Sequence, residues 1–129
     1  MAERRRAGSG SPFEGPIGFS RALRAGDRVL VSGTGPVWPD GSCDPDPYVQ
    51  ACRCFEIALA ALDELGGSAG DVVHTRMYLL DPADWEAVGR AHGALFEAVR
   101  PAATMVVVAG LLDARWRVEV EVEAVAQPG

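Results

Sequence analysis

The chain has 129 residues, 12 basic and 18 acidic side chains, and a formal net charge of −6. That length suits one domain whose core needs no disulfide or metal support. No window approaches the roughly 20 apolar residues needed to cross a bilayer, and an acidic body grips nucleic-acid phosphates poorly, so neither a membrane nor a nucleic acid is expected as a partner.

Arg4, Arg5 and Arg6 open the chain as its one basic run, followed by a Gly/Ser/Pro-rich stretch over 7–15. A secretory signal would carry an apolar stretch there, so the expected location is the cytoplasm. Residues 1–15 read as a flexible tail and 16–129 as a single domain. Residues 17–23 read as a first strand, and Gly26-Asp27 as a turn into a second strand over 28–33. Prolines and glycines make 35–47 a loop. Asp46 can cap free N–H groups and Pro47 suits a first helical position. Ala51, Phe55, Ala58, Leu62 and Leu65 then recur at helical spacing until Gly66-Gly67, which predicts a helix over 47–65.

The segment 71–80 reads as a strand with Val73, Thr75, Met77 and Leu79 on one face and His74, Arg76 and Tyr78 on the other. Asp81-Pro82 repeats the helix start, and the second helix is predicted to run to about residue 99, before Pro101. A short apolar strand follows over 104–109. The last strand, 116–126, alternates Val118, Val120 and Val122 with Glu119, Glu121 and Glu123, so one face is buried and one polar. Cys43, Cys52 and Cys54 lack metal-site spacing, and no metal or cofactor is expected. The order β-β-α-β-α-β-β predicts an α+β fold in which two helices cover one face of a mixed sheet. The other face must be solvated or covered by another subunit.

Several segments, in order, resemble the YjgF/RidA family of imine and enamine deaminases. Ile17-Gly18-Phe19-Ser20 is similar to its Ile-Gly-Pro-Tyr opening, and Val29 to Thr34 to its strand ending in Ser-Gly-Gln. Gly70 to Thr75 resembles its Asp-Val-Val-Lys-Thr entry, Arg100-Pro101-Ala102-Ala103-Thr104 its Pro-Ala-Arg-Ser/Thr segment, and Val118 to Ala126 its terminal strand. The resemblance covers about residues 16–126. It implies a chorismate-mutase-like homotrimer, strands inward and helices outward, with small-molecule ligands in clefts between subunits. The positions it carries into the cleft are Phe19, Ser32, Gly33, Thr34, Gly89, Ala103 and Thr104.

The resemblance also has gaps. The family's carboxylate-gripping Arg matches Ala103, its Tyr matches Phe19, its Gln matches Thr34, and its helix Asn matches Gly89. A methyl group cannot hold a carboxylate, so standard deamination of amino-acid-derived imines is not expected. The family's water-positioning Glu matches Glu119, with Glu121 as the alternative register. Both lie on one strand face, and the sequence does not separate them. His74 and Arg76 are expected to pair with that acidic stripe, with Arg76 alternatively standing in for the lost cation, and His92 to serve in packing or at the surface. Two functions follow: a hydrolase acting on an imine or enamine through carboxylate-activated water, or a non-catalytic trimer that binds a small ligand or a partner. Ribonuclease activity is disfavoured by the acidic charge and by the lack of a His/Lys/Arg constellation.

Overall fold

The structure, a computed structural model, describes residues 3–128. Strands β1 (Arg4–Ala7), β2 (Ala22–Ala25) and β3 (Arg28–Thr34) lead to helix α1 (Pro47–Glu64). Strand β4 (Val72–Leu79), helix α2 (Trp85–Phe96), strand β5 (Ala102–Val107) and strand β6 (Val118–Val125) follow. The six strands form one sheet in the order β1-β2-β3-β6-β4-β5. Only β4 and β5 pair in parallel; every other neighbour is antiparallel. Helix α1 packs on β3 and β6, and α2 packs beside α1. The result is the α+β layering expected from right-handed crossovers.

The start of α1 obeys its sequence signal, whereas Asp81-Pro82 opens a 3-10 turn over Pro82–Asp84 and α2 begins only at Trp85. The Asp46 carboxylate accepts from the N–H groups of Tyr48 (2.8 Å) and Val49 (3.3 Å). Gly66, at φ 87°, closes the far end, a left-handed position that favours glycine. The buried stripe of α1, with Phe55, Ala58 and Leu62, packs with Phe96 of α2 over Val118, Val120 and Val122 of β6. Phe55 and Phe96 meet edge to face at 5.6 Å. His92 joins them, as packing requires, and its Nε2 lies 2.8 Å from the Thr75 hydroxyl. Burial lowers its pKa and favours the neutral ring.

Five expectations need correction. The segment read as a flexible tail contains β1, paired with β2 from Arg4 opposite Ala25 to Ala7 opposite Ala22, with Ala7 buried. An edge strand is held by main-chain pairing and tolerates charged side chains, so its sequence looks like a tail. The strand expected at 17–23 starts only at Ala22, because Glu14–Gly18 forms one turn of π-helix ending on Gly18 at φ 86°. On β4, Val72 opposes Ala124 and His74 opposes Glu123, so Val73 is an extra residue in a bulge. Val72 therefore takes the core position and Val73 is exposed. The second helix is also shorter than expected and ends at Phe96, and the chain turns through Arg100 at φ 55°. The short strand occupies Ala102–Val107 rather than 104–109.

The loops beside α1 are tied by one amide that the sequence did not flag. Gln50 is 0% exposed. Its Nε2 donates to the carbonyls of Asp44 (2.7 Å) and Arg115 (3.0 Å), and its Oε1 accepts from the Arg117 N–H (2.7 Å). The Arg117 guanidinium then holds the buried Asp84 carboxylate through two bonds of 2.9 Å, fixing the entry to α2. Gln50→Leu keeps the volume but strands two carbonyls and an N–H. It is expected to cost about 2 kcal/mol or more, read as a lower urea midpoint with an unchanged slope.

Candidate functional site

With the valines of β6 under the helices, Glu119, Glu121 and Glu123 face the uncovered side of the sheet. In register they lie opposite Tyr78, Arg76 and His74 of β4. Like charges two residues apart on one strand need compensation, and the three carboxylates find it differently. Glu123 pairs with Arg28 at 2.7 Å. Glu121 accepts from the Tyr78 hydroxyl and lies 3.9 Å from Arg76. Glu119 lies near the Arg21 cation, and one of its carboxylate oxygens rests against Gly33, where a Cβ would collide with it. Burial raises the Glu119 carboxyl pKa, the neighbouring Glu121 adds to the rise, and Arg21 partly opposes it.

A bulge in β3 shapes the space above these groups. Val31 opposes Val122 and Thr34 opposes Val120, so Ser32-Gly33 contains one residue more than β6 offers opposite it. Such bulges re-aim side chains beside functional sites. The Ser32 hydroxyl donates to the Ser20 carbonyl at 2.6 Å, linking the bulge to the segment after Phe19. Thr34 is buried; it donates to the Ser32 carbonyl (2.8 Å) and accepts from Arg21 (3.0 Å). It thus supports the bulge from below.

An open cavity of about 570 Å³ results, walled by Phe19, Ser20, Ser32 and Glu121 and floored by Leu23 and Leu30. Of the positions named from the sequence, Phe19, Ser32 and Glu121 line it, whereas Gly33, Thr34 and Glu119 do not, Glu119 lying against Gly33. Gly89 on α2 and Ala103 and Thr104 on β5 do not meet them within one chain. Between β2 and β5 lie β3, β6 and β4, a separation of roughly 19 Å at ordinary strand spacing. Arg6 and Glu14 also line the cavity. Sequence reasoning missed them because their segment was read as a tail; the alternation of Arg6 with the buried Ala7 is the slender signal it carried. Among the described residues no cluster of His, Cys, Asp and Glu could hold a metal ion, and no helix is long and apolar enough to cross a membrane.

A six-stranded mixed sheet with two helices on one face and a carboxylate-walled cavity on the other defines a YjgF-type α+β protein. A family model described as Endoribonuclease L-PSP matches residues 13–126, and the chain belongs to that family, the YjgF/RidA family. It is 47% identical over 121 residues to the uncharacterized protein SCO2049 of Streptomyces coelicolor, covering 93% of this chain and 90% of that protein. It is 33% identical over 112 residues to the 2-iminobutanoate/2-iminopropanoate deaminase of Salmonella typhimurium, covering 84% of this chain and 85% of that one. The crystal structure of Rv2704 from Mycobacterium tuberculosis, a YjgF/YER057c/UK114 family member, superposes with a TM-score of 0.88 at 35% identity, covering 96% of this chain and all of that one.

The raised Glu119 carboxyl has a defined consequence for stability. A folded state that holds this proton more tightly than the unfolded chain is favoured below the ordinary carboxylate range, and that advantage is lost as pH rises through the raised value. Glu119→Gln is therefore expected to raise the urea midpoint at pH 7 and to leave it unchanged near about pH 4. The gain is under about 1 kcal/mol, because half the group remains in water. Denaturation series of both proteins at the two pH values measure it.

Proposed function

We propose that this chain is a small-molecule hydrolase that opens the C=N bond of an imine, or of an enamine through its imine tautomer. The observation that carries the reading is Glu121, a carboxylate in the wall of the open-face cavity held by the Tyr78 hydroxyl. Glu121 takes a proton from a bound water as the water oxygen attacks the imine carbon. The new C–O bond forms while the π electrons move to nitrogen, which takes a proton. In the addition step that proton comes back from Glu121. The carbinolamine then collapses as Glu121 carries the hydroxyl proton to nitrogen, the C–N bond breaks, the carbonyl forms and the neutral amine departs. A positioned base and a cleft that limits water are the main requirements, and no step needs a metal or cofactor. Glu119, the other member of the pair, lies against Gly33 and keeps the second acidic charge behind the first.

Family membership and a relative named as an imine deaminase support the reaction class. The acidic stripe favours a small molecule over RNA, whose phosphates it repels. Ala103 offers no charged donor, so imines whose carboxylate adjoins the C=N carbon are expected to turn over weakly. We also propose a homotrimer in which Ala103, Thr104 and Gly89 of one subunit approach the Phe19 cavity of the next. In its support, β5 is an outer strand whose apolar side chains are largely exposed, an arrangement that invites another chain. The competing reading, a trimer that binds a ligand without turning it over, draws on the missing hydroxyl at Phe19 and the missing guanidinium at Ala103.

The test is ammonia or amine release from imines generated in situ by amine and amino-acid oxidases. Glu121→Gln is expected to lower turnover by about 10²-fold or more, the usual worth of a general base, with the fold intact. Glu119→Gln should lower it far less. Full activity in Glu121→Gln removes the carboxylate from the mechanism. Wild-type protein no faster than buffer leaves the ligand-binding trimer in its place.

A further inference from the structure

Strand β1 brings a cation into the cavity from the side opposite Glu121. In register, Arg6 lies beside Leu23, Leu23 beside Leu30, and Leu30 beside Glu123. Arg6, Leu23 and Leu30 therefore share one line across the open face, and all three line the same cavity as Glu121. Strands β2 and β3 separate β1 from β6, which sets the two backbones roughly 14 Å apart. The space between the arginine and the carboxylate is floored by the two leucines. None of the salt bridges among the described residues uses Arg6. Glu14 also lines the cavity, but its carboxylate already accepts from the Ser9 N–H and hydroxyl.

From this arrangement we infer that Arg6 is the specificity-determining residue of the site, and that the substrate class is a small imine or enamine with a carboxylate several bonds from the C=N carbon. The inference rests on the proposed hydrolase reading. A guanidinium fork suits a carboxylate, and Glu121 at the far wall repels one, so an anionic ligand is favoured at the Arg6 end, with the Glu14 charge, held by Ser9, partly opposing it. A carboxylate bonded directly to the reacting carbon would have to sit at the Glu121 end, beside that acidic group, where Arg76 is already taken up by Glu121 at 3.9 Å. A carboxylate at the far end of a short alkyl chain reaches Arg6 while its methylenes cover Leu23 and Leu30. Ala103 then has no anion to bind, and its methyl group fits the role.

Binding of straight-chain monocarboxylates from acetate to hexanoate, followed by calorimetry or NMR titration, tests this without turnover. Affinity is expected to rise about fourfold per methylene until the floor is covered. Arg6→Ala should weaken hexanoate by at least about tenfold, as loss of a charge-assisted bond does, while methyl hexanoate binds both proteins equally. Arg6 is exposed, and an unchanged urea midpoint confirms that the variant folds. Equal hexanoate affinity in the two proteins, or an affinity independent of chain length, overturns the inference. Glu121→Gln should keep hexanoate binding, so loss of the hydrolase reading and loss of this one are told apart.

Discussion

Strand β6 runs through the middle of the sheet, and its alternation of valine with glutamate forces two different environments onto its faces. The valines call for apolar cover and receive it from α1 and α2. The glutamates cannot be buried unpaired, so the opposite face stays open and its neighbours supply Arg28, Arg76 and the Tyr78 hydroxyl. The cavity exists because that face is open, and its carboxylate wall exists because β6 is central. The same division leaves Leu30, Val106 and Val125 partly exposed beside the charges. On the outer edge, β5 presents backbone donors and acceptors under alanine, methionine and valine. Such an edge is open to pairing or cover by another chain, which is the assembly proposed above.

The elements set by local chemistry were legible in the sequence. Asp46-Pro47 and Gly66-Gly67 bracket α1 almost to the residue, and the period of two along β6 identifies both its faces. What escaped was structure made by pairing with distant strands. Arg4 to Ala7 has no apolar period, yet hydrogen bonds to β2 make it a strand, and Arg24 and Arg5 tie the hairpin to the Leu65 carbonyl at the end of α1. The two bulges leave no mark in a one-dimensional pattern: one residue is inserted and the period continues out of phase. The one at Val73 exchanges that valine for Val72 in the core, and the one at Ser32-Gly33 opens the wall of the cavity.

The candidate site divides along the same line. Phe19, Ser32 and Glu121 were all named from the sequence and all line one cavity. Their convergence follows from strand order, which brings β3 beside β6. Glu119 and Glu121 could not be separated beforehand because residues two apart on a strand share a face. Their surroundings differ through neighbours that sequence spacing cannot supply, namely the bulge glycine beside one and the tyrosine hydroxyl beside the other. Gln50 and Asp84 were missed for another reason. Polar residues near helix starts read as solvent-facing, whereas these two are buried and hold the loops that frame the sheet.

The proposed site needs Ala103 and Phe19 to approach each other, and within one chain they lie near opposite edges of the sheet. Association through β5 and the open face is therefore the claim on which the account turns. Sedimentation velocity at micromolar concentration tests it most directly. A single species of three times the 13.6 kDa chain mass, persisting on dilution, is the expected result. A stable monomer with the β5 edge exposed would contradict it.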